Sequence, residues 1–562
     1  MNEPKISQPV LARRDLVRSM FAASTLAFLS ACGATGAAGS ASSADIKKNR
    51  RTLRVGMGDI ACIDPFNAKQ VHELQVTYQL FDALTTYDFV EGELKPLAAA
   101  SYAGNEDATE FTFKIKSATF HNGETVTSTS FKRAWERLVD PASAVAAKHG
   151  ASSFAYLLSL VQGYSELASG SATGLSGVAC PDDETLVVTL TSSYGDFPYL
   201  CAHPALAPVP TQATSDPDGF FMQPVGNGAY TLSAPWSTGK DIVLAPFDGY
   251  YGDAPGIQRI KFVHNDGTEA SYKDFQAEKL DVSDVPVDDI AAKASGTEAE
   301  ERTTLTASRH YIQLPELTLS YLAVNTESSQ LSDAAVRRAI SYAVNRENIC
   351  SSVYSDATLP ATCIVPPLCP GYRETAWDCC HYDVDQANTL LEDVAPMDGK
   401  TRGIVLTCAY DKSGGGKELV EALVDDLARV GIELTPTACT FEELQDSLTS
   451  GGFELAVTSW TSDAPCMDTF LYPLVDSACL GGNNVSRYSN ADVDAKLAEG
   501  RATLDDDERI ARFQEAEDMV AADAPIIPLM HYTRGVCAAD RVDGLCVDPV
   551  GKPHFAQATL AH

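Results

Sequence analysis

Asp463 stands three residues after Trp460 in the stretch 453–465, which reads Phe-Glu-Leu-Ala-Val-Thr-Ser-Trp-Thr-Ser-Asp-Ala-Pro. Leu455, Val457 and Ser459 alternate with Ala456, Thr458 and Trp460, so a strand here is mostly apolar on both faces, as a central strand is. The carboxylate comes just where that strand must stop. Open α/β sheets gather their ligands at strand ends, and a lone Asp beside a Trp there can pair a cation. An Asp before Pro465 also suits an Asx turn, and the segment by itself leaves both roles open.

Other reactive residue types fall short of a catalytic pattern. His72-Glu73-Leu74-Gln75-Val76 opens like the helix of a zinc protease, but Val76 occupies the place of the second His ligand. Gly414-Gly415-Gly416-Lys417 is followed by Glu418, where a phosphate loop needs Ser or Thr to hold magnesium. No Gly-x-Ser-x-Gly and no Cys-x-x-Cys occurs, and the ten histidines lack metal-ligand spacing. Enzymatic chemistry, a metal and a cofactor are therefore not expected.

The elements that must position Asp463 belong to a long chain. At 562 residues it exceeds what one core supports, so two or three domains are expected. A hydrophobic content of 45% with 21% charged residues is that of an ordinary globular protein. The net charge of -34 argues against nucleic acid, which proteins meet with basic surfaces.

The N-terminus bears on location. Lys5, Arg13, Arg14 and Arg18 precede an apolar run over 20–29, a charged region followed by a hydrophobic one too short to span a bilayer. It ends in Leu29-Ser30-Ala31-Cys32, which resembles a bacterial lipobox, so residues 1–31 are expected to be a signal peptide and Cys32 a lipid anchor. Arg13-Arg14-Asp15-Leu16 matches a twin-arginine signal only in part, and the export route stays open. The small, polar stretch that follows makes 32–50 a flexible linker reaching about 25 Å. Fourteen cysteines remain besides Cys32, an even number suited to disulfides in an oxidising compartment. Cys466 with Cys479, Cys537 with Cys546, Cys180 with Cys201 and Cys408 with Cys439 are plausible pairs among many.

Further elements follow in order. Leu53-Arg54-Val55-Gly56-Met57 alternates as a strand, Ile60-Ala61-Cys62-Ile63-Asp64-Pro65 ends in a turn, and 71–84 has near-helical spacing at Leu74, Tyr78, Phe81 and Leu84. Phe111-Thr112-Phe113-Lys114-Ile115 reads as a strand, 120–126 as a turn, and 128–140 as a helix. Helices at 333–345 and 417–429 alternate with strands at 404–408 and 453–457, an α/β pattern, and 505–523 is an acid-rich surface helix with Ile510, Phe513, Met519 and Val520 apolar.

Taken together, the pieces resemble the extracellular solute-binding proteins of peptide and nickel ABC transporters, most of all the oligopeptide binders. The resemblance runs from Leu53 through Leu-Phe-Asp-Ala-Leu (80–84), Phe-His-Asn-Gly-Glu-Thr-Val (120–126), Gly226-Asn227-Gly228-Ala229-Tyr230, Tyr321-Leu322-Ala323-Val324-Asn325 and Trp460-Thr461-Ser462-Asp463 to Ala524-Pro525-Ile526-Ile527-Pro528.

It implies an α/β, three-lobed periplasmic-binding-protein-like clamshell (type II, cluster C) with mixed sheets. Lobe I would comprise 51–86, 204–316 and 525–562, lobe II 87–203, and lobe III 317–524. An extended peptide would lie between lobes I and III, its ammonium on Asp463. Its backbone would meet Ser459, Trp460 and Thr461 on one side and Ala61, Cys62 and Ile63 on the other. The implied protein is a monomer tethered to the membrane by its lipid, delivering cargo to an ABC permease and ATPase. Where some family members meet a peptide C-terminus with basic side chains and a His, this chain has Val457, Leu448 and the run Gly414-Gly415-Gly416. Dipeptide, nickel-chelator, haem or sugar cargo, or a receptor or adhesion role on the same fold, are the alternatives.

Overall fold

The computed structural model of the chain describes residues 51–290, 299–413 and 416–561. The signal peptide, Cys32 and the linker lie outside the described residues, as do Gly414 and Gly415.

Leu53–Met57 forms the expected strand, β1, almost wholly buried. The helix that follows, α1, covers Val71–Leu80 rather than 71–84. Its end is set from a distance: Gly228 N donates to Leu80 O at 2.9 Å, and a Cβ on Gly226 would lie 1.8 Å from that same oxygen. Glycine there lets a second backbone close onto the helix terminus, so Phe81 turns extended. Between the two glycines, Asn227 exchanges hydrogen bonds with the backbone of Asp82.

Residues 87–203, the expected lobe II, contain a four-stranded antiparallel sheet in the order 99–104, 110–115, 185–189, 178–182. It is covered by α2 (Ser128–Val139), whose Phe131, Ala134, Trp135 and Leu138 are buried at helical spacing. The segment 120–126 is the expected turn, closed by a bridge between Thr119 and Thr125.

Two long strands organise the rest: β2, Tyr311–Val324, and β5, Ile526–Ala538, paired antiparallel over most of their length. Between them in sequence come β3 (Val405–Asp411), β4 (Leu455–Thr461) and the helix α3 (Asp506–Asp523). One eleven-stranded sheet results, with β3, β4, β2, β5 and β1 in that order along it and 282–285 inserted between β5 and β1. The sheet is mixed, parallel between β1 and 260–264 and between β3 and 433–439, antiparallel elsewhere along β2 and β5.

The apolar core is nonetheless double. One cluster takes Ile312 and Leu314 from β2 and Val536 from β5; the other takes Leu317 and Leu319 from β2 and Ile526, Ile527, Leu529 and Met530 from β5, so the start of β5, expected in lobe I, packs with the residues expected in lobe III. The change of core falls where the β2–β5 register is broken, between Pro315 and Leu319. Proline cannot donate to a ladder, so an irregularity is natural there.

All fourteen described cysteines are free thiols, ten of them buried, so the expected disulfides are not formed. Geometry accounts for the suggested pairs. On the parallel ladder of β3, Cys408 faces Pro436, which puts Cys439 three residues further along the partner strand. That offset is about 10 Å, beyond the roughly 7 Å a disulfide spans. The helix Asp468–Val475 separates Cys466 from Cys479. Cys537 pairs with Ser283 and Tyr311, whereas Cys546 pairs with Thr304 in a different sheet. Cys180 sits on the edge strand of the lobe II sheet, while Cys201 is buried after the helix Phe197–Leu200.

Candidate ligand-binding site

β4 begins as a central strand and ends as an edge. Leu455 and Ala456 pair with both β2 and β3, but β3 pairs no further, while β2 follows β4 as far as Thr461. From Val457 onward β4 is therefore laddered on one side only. Burial follows the pairing: Leu455 and Ala456 are fully buried, Val457, Thr458, Trp460 and Thr461 half-buried and Ser459 exposed. In an antiparallel ladder alternate residues turn their N–H and C=O away from the partner, so this edge offers backbone groups to a further extended chain.

The strand stops in a turn fixed by serine. Ser462 N donates to Leu317 O at 2.9 Å, Ser462 Oγ accepts from Ala464 N at 3.1 Å, and that hydroxyl donates to Ala464 O at 2.6 Å. Trp460 is pinned through Nε1 to Thr469 O at 2.8 Å, and Thr461 meets Thr318 hydroxyl to hydroxyl at 3.0 Å. Asp463 Oδ2 accepts a short hydrogen bond from Tyr156 Oη. Tyr156 belongs to lobe II, 307 residues away, on the 3-10 turn Ala155–Leu158. No pattern around Tyr156 marks it in the sequence.

The second strip, Ala61, Cys62 and Ile63, lies in the loop between β1 and α1. Its conformation is imposed by Glu73, almost fully buried on α1. Glu73 Oε1 accepts from Ala61 N at 2.7 Å and Cys62 N at 2.9 Å, and Oε2 accepts from Lys69 N and Gln70 N, each at 2.9 Å. Ile63 O accepts from Thr77 Oγ1 at 3.1 Å. The amides of Ala61 and Cys62 and the carbonyl of Ile63 are thus all engaged within the loop and α1. The His-Glu pair that opens like a zinc site is in fact a loop brace: His72 Nδ1 accepts from Gly58 N at 3.2 Å, and among the described residues no cluster suits a metal ion.

Lobe II braces the same loop. Arg137, on α2, clasps both oxygens of Asp64 in a buried ion pair and lies over the rings of Phe66 and Phe220. Ser153 N donates to Asn67 Oδ1 at 3.1 Å and Ser152 Oγ donates to Phe66 O at 2.5 Å. The segment that anchors loop 60–68 is also the one that carries Tyr156. Burial, with the charges of Asp64 and Glu73, pushes the Cys62 thiol well above its ordinary range, which favours the protonated form. No hydrogen bond among the described residues joins 61–63 to 459–461; the two strips sit on different lobes. Of the positions where family members carry basic groups, Leu448 is buried in the lobe III core and Val457 is half-buried.

The chain as a whole has known relatives. Residues 93–481 match the bacterial extracellular solute-binding proteins, family 5 Middle. The periplasmic oligopeptide-binding protein OppA of Escherichia coli is 26% identical over 529 residues, 92% of this chain and 93% of that protein. A probable deoxycholate-binding periplasmic protein, YgiS, of the same species is 26% identical over 485 residues, 84% of this chain and 86% of its own length. Among solved structures, the periplasmic murein tripeptide-binding protein MppA in its unliganded open form superposes with a TM-score of 0.78 at 24% identity, covering 91% of this chain and 98% of that one. The fold is the three-lobed α/β architecture of periplasmic binding proteins. With a family match over well over half its length and relatives spanning nearly all of it, the chain belongs to the family 5 extracellular solute-binding proteins of ABC importers.

Proposed function

We propose that this protein carries peptides with a free N-terminus, held in extended form between lobes I and III, to the permease and ATPase of an ABC importer. It does so as a monomer, tethered outside the membrane through a lipid on Cys32. The observation that carries this reading is the one-sided half of β4, which runs out at a carboxylate hydrogen-bonded across the lobes. Strand addition onto that edge recognises any peptide backbone, which suits a general carrier, and the strip 61–63 faces it from lobe I, where the carbonyls of Ala61 and Cys62 are its acceptors. At the end of the edge, Asp463 supplies the fixed negative charge that an α-ammonium needs on leaving water. A carboxylate accepts several hydrogen bonds at once, so Tyr156 and an ammonium can share it.

The test is a four-way comparison: wild type and Asp463→Ala, each with a synthetic library of pentapeptides and with its N-acetylated copy, bound species being quantified by mass spectrometry. Removing one member of a desolvated charge pair costs about 2–5 kcal/mol, so either change alone weakens binding by roughly 30-fold to several thousand-fold. Both together cost little more than one, because they delete the same interaction. A wild-type protein that retains no pentapeptide, or one indifferent to both changes, rules the reading out.

A further inference from the structure

The contact between Tyr156 and Asp463 crosses from lobe II to lobe III, so something must fix those lobes against each other. We infer that Asp196 and Arg509 are positioning residues for the ammonium site, a clasp that brings Tyr156 to Asp463. The inference rests on the peptide reading above and adds the groups that assemble its site.

Arg509 is on the first turn of α3, yet it is 2% exposed, one of the largest fully buried side chains of the protein. Its Nε donates to Asp196 Oδ1 of lobe II at 2.6 Å, and Asp196 is equally buried. The rest of the guanidinium is satisfied from lobe III, by Leu504 O at 2.9 Å and by the Asp506 carboxylate. If the lobes part, Arg509 keeps Asp506 but the buried Asp196 loses its cation, so the pair favours one alignment. Around it the fit is close: Gly195 N donates to Arg501 O at 2.7 Å, and a Cβ on Gly195 would lie 2.1 Å from Thr503 O. A residue other than glycine cannot occupy that position without separating the lobes.

Both ends of the clasp are tied to the site. In lobe II, Thr191 N donates to Leu160 O at 2.7 Å and Val161 bridges Leu190, which joins the segment leading to Asp196 to the turn that carries Tyr156. In lobe III, Ala464 and Cys466, directly after Asp463, pack with Tyr87, Phe89 and Tyr199 of lobe II in one apolar cluster. Arg501, whose carbonyl receives the Gly195 amide, pairs through Nε with Asp468 Oδ1 at 3.4 Å. The turn that presents Asp463 is therefore seated on lobe II beside the clasp.

The test uses Gly195→Ala, a steric wedge, and Arg509→Lys, which keeps the charge but loses the guanidinium fork. Neither residue is in the proposed ligand site. Circular dichroism establishes that each variant is folded, and hydrogen exchange reads the lobe contact at residue 195. The expected result is faster exchange there with a loss of affinity for the free pentapeptide library of about 10- to 100-fold, as the competent alignment falls to that fraction. The N-acetylated library, which cannot use the Tyr156–Asp463 site, is affected severalfold less, and Asp463→Ala added to either variant costs little more. Faster exchange at residue 195 with unchanged affinity, or equal losses for both libraries, overturns the inference, as does a failure of both substitutions to loosen the contact. If Asp463→Ala is itself without effect, the ammonium reading fails first and separately.

Discussion

Glu73 makes a demanding test of how the site is built. Its carboxylate accepts four backbone N–H groups, two from the candidate ligand loop at Ala61 and Cys62 and two from the start of α1 at Lys69 and Gln70. Glu73→Ala orphans all four at once. The Cys62 amide is buried and cannot turn to water, a penalty of about 1–3 kcal/mol; the other three are partly exposed, and water replaces much of what they lose, about 0.5–1 kcal/mol each. The sum is about 2.5–6 kcal/mol. Glu73→Gln keeps one carbonyl oxygen for one pair of amides and turns an NH2 toward the other pair, so it loses about half as much. Urea unfolding monitored by tryptophan fluorescence measures both, and hydrogen exchange at residues 61 and 62 shows where the loss falls. Peptide affinity falls with it, because the backbone of Ala61 and Cys62 is no longer held. An alanine variant less than 1 kcal/mol below wild type, or one with unchanged exchange at 61 and 62, refutes the brace.

Two further outcomes follow from other parts of the chain. Burial lowers the pKa of His121 to about 4, and its Nδ1 accepts from Gly226 N at 3.2 Å, so the neutral ring is the folded form. Stability from this group is whole above about pH 6.5 and is lost as pH falls toward 4, about 2–3 kcal/mol, so His121→Gln should show a flatter dependence of Tm on pH between 7 and 4; an unchanged slope excludes it. Cys32→Ala should abolish lipid attachment and leave the protein unprocessed or released from membranes, and normal processing with retained membrane association would count against the lipobox.

The local elements were the legible part. The alternation of β1, the capped helix after Thr127, and the helix that starts behind Asp505 are written in nearest neighbours, and their observed bounds differ from expectation by a residue or two. Where the expectation failed, a remote backbone had decided. The helix α1 ends early because two glycines about 150 residues away close on Leu80. Free thiols replaced the expected disulfides because pairing in sequence says nothing about offset along a ladder.

For the site, the sequence by itself determined that a carboxylate follows a strand beside a tryptophan and, through resemblance, that the chain is a solute-binding protein. Residue types and spacing carry that much. The tertiary structure decided what the carboxylate does. Ser462 holds the turn, so Asp463 Oδ2 is directed to Tyr156, and the half of β4 before it has no strand on one side. It also turned Glu73 from a fragment of a metal motif into the brace of the opposite strip, and Arg509 from a surface residue of an acidic helix into a buried partner of Asp196. Each of these depends on groups 11 to 313 residues apart meeting at hydrogen-bond distance. Such meetings are fixed by how the lobes pack, and packing at that range leaves no periodicity in the chain.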